Sequence, residues 1–380
     1  MTSKIKVLSV LGTRPEAVKL APVIRALQAC PEIESRICVT AQHREMLDQV
    51  LQAFDIHPDI DLNLMKPDQS LAGLTADIFT HLDPVLVRES PDWVFVQGDT
   101  TTVMAAALNA YYRKIKVGHV EAGLRTFDKW QPYPEEINRK VTGCVADLHF
   151  APTPRSRENL IHEGVPEANI VVTGNPVIDA VRWISSQPIP EEITNLLDEL
   201  GINQLRGNRL VLVTAHRREN FGEPLEQICT ALDKLADEYD GKVRFVYPIH
   251  PNPHVKEPVQ RMLRRNANIK LLPPLDYLPM VHLMRHAALV LTDSGGIQEE
   301  APGFGIPTLV LREVSERPEG VEAGVLKLVG TRTESIIKAT TSLLNDANEY
   351  QRMARSVSPF GDGKAADRIL RALLDYENRS

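Results

Sequence analysis

His286-Ala287-Ala288-Leu289-Val290-Leu291-Thr292-Asp293-Ser294-Gly295-Gly296-Ile297-Gln298-Glu299-Glu300-Ala301 is the stretch that decides how this chain is read. Residues 287–291 are an apolar run of strand length, suited to a strand buried in a parallel sheet. The run gives way to a polar turn, Thr292 to Gly296, and from Ile297 to a helix. Strand, glycine turn and helix start together offer unpaired backbone N–H groups and the positive end of a helix dipole to an anion. Gly295 and Gly296 carry no Cβ, so a phosphate can approach the backbone closely. Ser294 adds a hydroxyl, and Glu299 or Glu300 can accept hydrogen bonds from a ribose diol. A tight turn in any α/β domain has much the same pattern. The paired acids, and a second turn of this kind, favour a nucleoside diphosphate.

The second turn is Val7-Leu8-Ser9-Val10-Leu11-Gly12-Thr13-Arg14-Pro15-Glu16-Ala17-Val18-Lys19. Gly12 turns the chain, and Pro15 suits the first turn of a helix, where its missing N–H is not needed. Arg14 and Lys19 set two cations at the mouth of the turn. The spacing is neither G-x-G-x-x-G nor a Walker A loop, so a phosphate or its attached sugar is expected here rather than a dinucleotide.

Strand-like runs at 5–11, 36–40, 93–97, 115–120 and 147–151 alternate with amphipathic stretches at 16–29, 43–54, 71–89 and 101–113. The series restarts near residue 208, with strands at 209–214, 243–249, 269–272, 287–292 and 307–311 and helices at 223–239 and 276–285. Such alternation predicts parallel sheets covered by helices on both faces. The fold class expected is α/β, with two doubly wound Rossmann-like domains facing a cleft. The length of 380 residues suits two cores. The join falls near 174–205, which is turn-rich. The expected domains are 1–174, 175–363 and a final helix, 364–380.

Composition narrows the function classes. A formal net charge of −7 with no basic stretch argues against nucleic-acid binding. Cys30, Cys38, Cys144 and Cys229 form no C-x-x-C pair, which argues against structural zinc and disulfides and fits a reducing cytoplasm. No signal peptide is read before the first strand, and no apolar run nears the roughly 20 residues of a membrane span. Neither metal-ligand spacing nor a Gly-x-Ser-x-Gly elbow occurs.

Three acids stand at predicted strand ends or helix starts: Asp99 in Gln97-Gly98-Asp99-Thr100-Thr101-Thr102, Glu121 in His119-Val120-Glu121-Ala122-Gly123-Leu124-Arg125, and Glu135 after Pro134. Individually, Asp99 reads as an N-cap, Glu121 as a partner of Arg125, and Glu135 as a helix-dipole charge. At the rim of one domain, facing a cationic phosphate site, the three suit general acid–base work on a sugar ring. His216, in Thr214-Ala215-His216-Arg217-Arg218-Glu219, closes the second domain's first strand and can hydrogen-bond substrate or shuttle a proton. His250 ends the following strand, with structure and function equally weighted, and Arg317 can meet a diphosphate or an acid.

Taken together, the ordered motifs resemble the non-hydrolysing UDP-N-acetylglucosamine 2-epimerases over nearly the whole chain. They include Gly12-Thr13-Arg14-Pro15-Glu16, Thr40-Ala41-Gln42-His43-Arg44, Gly98-Asp99-Thr100-Thr101-Thr102, Pro134-Glu135-Glu136, Asp293-Ser294-Gly295-Gly296-Ile297-Gln298-Glu299-Glu300 and Glu316-Arg317-Pro318-Glu319, with the His119 and His216 stretches quoted above. The resemblance implies a glycosyltransferase-B architecture and reversible conversion of UDP-GlcNAc to UDP-ManNAc for cell-surface polysaccharide, with no cofactor and no metal. It implies Asp99, Glu121, Glu135 and His216 as catalytic, and Arg14 and Lys19 at the sugar and diphosphate. Leu275, Met280, Ser294, Gly295, Gly296, Glu300 and Arg317 would hold the UDP. At Met280, family members often carry Phe. Gln42, His43, Arg217 and His250 would line a second, activating UDP-GlcNAc pocket. A homodimer, and a last helix crossing back to the first domain, are implied as well. The rival activities are a hydrolysing 2-epimerase releasing ManNAc and UDP, a retaining UDP-sugar glycosyltransferase, and a UDP-sugar sensor.

Overall fold

The computed structural model describes residues 4–40, 44–64, 66, 69–202, 207–315 and 317–379. Gln42 and His43, expected in an activating pocket, lie outside the described residues, as does Glu316 of the Arg317 motif. The chain forms two compact units, Met1–Trp183 with Phe360–Ser380, and Ile184–Pro359.

In the first unit, β1 (Ile5–Leu11), β2 (Ile33–Val39), β3 (Ile60–Asp61), β4 (Trp93–Gln97), β5 (Lys116–Val120), β6 (Leu148–Ala151) and β7 (Ile170–Val172) make one sheet in the order β3-β2-β1-β4-β5-β6-β7. In the second, β8 (Arg209–Thr214), β9 (Val243–Pro248), β10 (Ile269–Leu272), β11 (Ala287–Thr292), β12 (Thr308–Val310) and β13 (Leu326–Leu328) follow the order β10-β9-β8-β11-β12-β13. Every pairing is parallel. Each unit is therefore a doubly wound α/β fold. The strand order reverses between β1 and β4 and between β8 and β11, and in such sheets ligands bind beyond the carboxyl ends of the strands at this reversal.

The central strands are apolar because both faces are covered. All five residues of β4 are buried, and the helices Leu71–Glu89 and Thr101–Tyr112 cover one face of this sheet through Leu74, Ile78, Leu82, Val103 and Ala106. In the second unit, Leu225, Ile228, Leu232 and Leu235 of the helix Glu223–Glu238 pack with Val211, Val213 and Phe245. Gln97 and Thr214, the polar residues that close β4 and β8, are buried.

Three strands escaped the sequence reading. β3, β7 and β13 have two or three residues each and lie at or beside the sheet edges, too short to show a period. β2 starts at Ile33, ahead of the expected 36, because the half-buried Glu34, Ser35 and Arg36 hide it in an apolar search. The turn-rich stretch near 174–205 carries two helices, Pro176–Ser186 and Glu191–Glu199. Pro176 opens the first and Pro190 caps the second, positions that prolines tolerate.

The last helix, Ala365–Glu377, packs on the first unit. Tyr376 meets Trp93 edge-on with ring centroids 5.2 Å apart, and the Glu377 carboxylate accepts from Trp93 Nε1 at 2.8 Å and Lys116 Nζ at 2.6 Å. At its other end, Asp179 accepts the N–H groups of Ala365 and Ala366 at 3.2 and 3.0 Å, an N-terminal cap supplied from another helix. No described helix is long and apolar enough to cross a membrane.

Candidate functional site

In the first unit, the predicted residues gather at the carboxyl ends of β1, β4 and β5. Gly12 follows β1 and sits against Thr40 and Thr102. A Cβ here would collide with Thr40 Oγ1 and lie 2.7 Å from Thr102 Oγ1, so the turn requires glycine. Thr13 is extended, and Arg14 and Pro15 open the helix Arg14–Ala29. The carboxylate of Glu16 turns back into this site. It is buried, accepting Gly12 N–H at 2.6 Å and the Thr13 hydroxyl at 3.0 Å. Burial pushes its pKa up to about 7, against the opposing pull of the Thr100, Gly12 and Thr13 hydrogen bonds. Thr100 belongs to the turn after β4, so Glu16 ties together the two turns that flank the reversal point.

Glu121 follows β5 with φ at +63°, a left-handed conformation uncommon outside glycine. It is 6% exposed. Its Oε1 accepts from Lys19 Nζ and, at 2.8 Å, from Asn175 Nδ2, and its Oε2 accepts from Gln97 Nε2. Gln97 ends β4 in register with Val120, which brings the two side chains together. The pairing of Glu121 with Arg125, the purely structural alternative for this acid, does not form. Arg125 instead donates to Glu163 from Nε at 2.9 Å and Nη2 at 2.6 Å, while Lys19, one helical turn past Arg14, supplies the cation for Glu121.

Asp99 is half-buried after β4. Its Oδ2 accepts from Arg139 Nη2 and, at 3.2 Å, from Nε, and its carbonyl accepts from Asn138 Nδ2 at 2.9 Å. Both donors lie on the helix Glu135–Val145, whose first residue is Glu135. The buried Oε2 of Glu135 has no hydrogen-bond partner among the described residues. His119, buried on β5, bonds Gly98 O through Nε2 at 2.8 Å, and burial pushes its pKa down to about 3. The imidazole is thus neutral, with its proton on Nε2, and it fixes the turn that carries Asp99.

In the second unit, the predicted residues gather at the ends of β8 and β11. Thr214 and Thr292 pair in register, and their hydroxyls are 2.6 Å apart. The fully buried Asp293 accepts, through Oδ2, the N–H groups of His216 and Arg217, both at 2.8 Å, and Asn220 Nδ2 at 2.9 Å. Its Oδ1 lies 3.6 Å from His216 Nδ1. The carboxylate therefore joins the turn after β8 to the turn after β11. His216 stacks on His250 at 5.4 Å between ring centroids. Burial lowers the His216 pKa, outweighing the attraction of Asp293, and the charges of His250 and Arg217 lower it further. Ser294 precedes the helix Gly295–Glu300, and Gly296 is exposed. Arg317 pairs with Glu299, while Glu300 is 8% exposed. Leu275 and Met280 are half-buried, with Met280 in the helix Tyr277–Arg285.

The sequence reading did not assign Glu16, Gln97, Arg139, Asn175 or Asp293 to the site. Gln97 and Asp293 left a signal, since Gln97 closes and Asp293 directly follows a largely apolar strand. Asn175 and Arg139 left none, because they reach Glu121 and Asp99 from 54 and 40 residues away.

A family model described as UDP-N-acetylglucosamine 2-epimerase matches residues 25–374. The UDP-N-acetylglucosamine 2-epimerase of Salmonella typhimurium is 52% identical, over 98% of this chain and 99% of that protein. The crystal structure of the UDP-GlcNAc 2-epimerase of Neisseria meningitidis, bound to UDP-GlcNAc, is similar with a TM-score of 0.86 and 47% identity, covering 98% of this chain and 100% of that one. The Methanocaldococcus jannaschii enzyme, in complex with UDP-GlcNAc and UDP, is similar with a TM-score of 0.78 and 36% identity, over 98% and 100% of the two chains.

Proposed function

The chain belongs to the UDP-N-acetylglucosamine 2-epimerase family, and from that premise we propose that it interconverts UDP-GlcNAc and UDP-ManNAc reversibly, without hydrolysis, cofactor or metal. The observation that carries the reading is the set of three carboxylates, Asp99, Glu121 and Glu135, on adjoining elements of one unit, two of them held by the cations Arg139 and Lys19.

The C2 proton of the sugar is not acidic, so its removal needs a concerted partner. A carboxylate takes the proton, the C2–H electron pair forms the C1=C2 double bond, and the C1–O bond breaks with its electrons leaving on the diphosphate. UDP then adds back to C1 of the bound 2-acetamidoglucal while a proton is delivered to the other face of C2. Asp99, Glu121 and Glu135 serve as proton acceptor and donor. Glu135 is suited by its unbonded Oε2, and Glu121 by three donors that fix its orientation. Arg14 and Lys19 stabilise the departing diphosphate. His216, whose pKa burial lowers, hydrogen-bonds the nucleotide. The bound nucleotide sugars of the Neisseria and Methanocaldococcus relatives support UDP-GlcNAc as substrate.

Product analysis tests the reading. Incubation of the purified protein with UDP-GlcNAc is expected to give a stable mixture with UDP-ManNAc and no accumulation of free UDP. Stoichiometric free UDP and ManNAc would overturn the non-hydrolysing assignment.

A further inference from the structure

The acid next to Glu135 has no role in the proton transfers above, yet it is fully buried. Glu136 is 0% exposed. Its Oε1 accepts Phe127 N–H at 3.1 Å, and its Oε2 accepts Thr126 N–H at 3.1 Å and Arg139 Nη1 at 3.1 Å. The two oxygens of this clamp share three donors, with the successive backbone N–H groups of Thr126 and Phe127 taken one on each. The other edge of the Arg139 guanidinium holds Asp99. A buried carboxylate thus balances the cation that a second carboxylate uses, and three charges of alternating sign run from the 126–127 backbone to Asp99.

The backbone held by Glu136 is the base of a tight hairpin. Asp128 and Gln131 pair as an isolated antiparallel bridge, and Trp130 N–H bonds Asp128 Oδ1 at 2.9 Å. Trp130 and Tyr133 stack at 5.7 Å and stand 64% and 60% exposed. At the base, Phe127 has φ at +63°, a conformation unfavourable for a bulky side chain. The capture of its N–H by a buried anion offsets that strain.

We propose that Glu136 is a positioning residue: through Arg139 it sets the Asp99 carboxylate, and through Thr126 and Phe127 it sets the aromatic hairpin, so both are fixed by one buried group. The inference rests on the epimerase reading, in which Asp99 transfers a proton. Displacing a reacting group by about 1 Å can lower turnover about a hundredfold while leaving binding intact.

The test uses Glu136→Gln, which keeps the shape but offers only one accepting oxygen, and Arg139→Lys, which keeps the charge but loses the two-edged geometry. Both are measured on the full chain, with folding checked by circular dichroism. Glu136→Gln is expected to lower kcat about tenfold to a hundredfold, with KM for UDP-GlcNAc and Kd for UDP within about twofold of wild type. The double variant is expected to lose less than the product of the single losses, as for two residues of one network. Independently of activity, trypsin cleavage after the exposed Lys129 in the hairpin is expected to quicken about tenfold in Glu136→Gln. Unchanged kcat, or unchanged cleavage at Lys129, or strictly multiplicative losses would overturn the inference. Failure of the wild type to convert UDP-GlcNAc would instead overturn the epimerase reading, and the cleavage measurement would still decide whether Glu136 anchors the hairpin.

Discussion

Replacing Glu16 by Gln isolates one buried titration. The Glu16 carboxyl has a pKa of about 7 in the fold against 4.5 for the free side chain, because burial disfavours its charge. The sign follows from proton binding. Between pH 4.5 and 7 the folded chain keeps a proton that the unfolded chain has released, so this contribution to stability is complete below 4.5, falls as pH rises, and is gone above about 7. At about 1.4 kcal/mol per pH unit, the full swing is about 3 kcal/mol. Glutamine does not titrate, and its amide can still accept Gly12 N–H while the Thr13 and Thr100 hydroxyls reorient. Urea unfolding followed by tryptophan fluorescence reads the relevant unit, since all three tryptophans, Trp93, Trp130 and Trp183, belong to it. The stability of Glu16→Gln relative to wild type is expected to rise by about 2–3 kcal/mol between pH 5 and pH 8. A difference that stays constant to within about 0.5 kcal/mol across that range would mean that Glu16 titrates as an ordinary carboxylate and that burial does not hold its proton.

Other expectations follow from the same geometry. Asp99→Asn, Glu121→Gln and Glu135→Gln should each lower kcat by about a hundredfold or more, with UDP affinity by calorimetry little changed; full activity in all three would remove the carboxylates from the mechanism. Asp293→Ala strands the N–H groups of His216 and Arg217 and removes one of the two acceptors of the Asn220 amide, which should destabilise the second unit by about 3 kcal/mol or more, read as faster hydrogen exchange along β8 and β11. Gly12→Ala forces a Cβ against the Thr40 and Thr102 hydroxyls and should cost about 1–3 kcal/mol, read by the same tryptophan-monitored urea unfolding, with a fall in turnover from the displaced Arg14 turn.

The fold was legible where the chain is most apolar. β1, β4, β8 and β11 are buried on both faces, and their hydrophobic runs mark both reversal points with little ambiguity. The glycine and acid residues after those strands followed directly, since a parallel strand must end at the rim where ligands bind. The edge strands β3 and β13 were illegible because two or three residues, solvated on one side, carry no periodicity. The wiring of the site was also hidden. Sequence proximity suggested Arg125 for Glu121, but the left-handed turn at Glu121 and the glycine at 123 send the two side chains to different partners. Asn175 and Arg139 arrive from distant elements, and only the tertiary fold brings them to their carboxylates. Nothing in the sequence marked Glu16 as part of the site; the Gly12 turn folds its carboxylate inward.

In the proposed epimerisation, C2 of the sugar loses and regains a proton while UDP departs and returns. Proton NMR of UDP-GlcNAc with the purified protein in D₂O, without added metal or nicotinamide, tests it most directly. UDP-ManNAc carrying deuterium at C2 is the expected outcome, since the enzyme-bound carboxyls exchange with solvent. UDP-ManNAc that retains its C2 proton throughout would contradict proton transfer through these carboxylates.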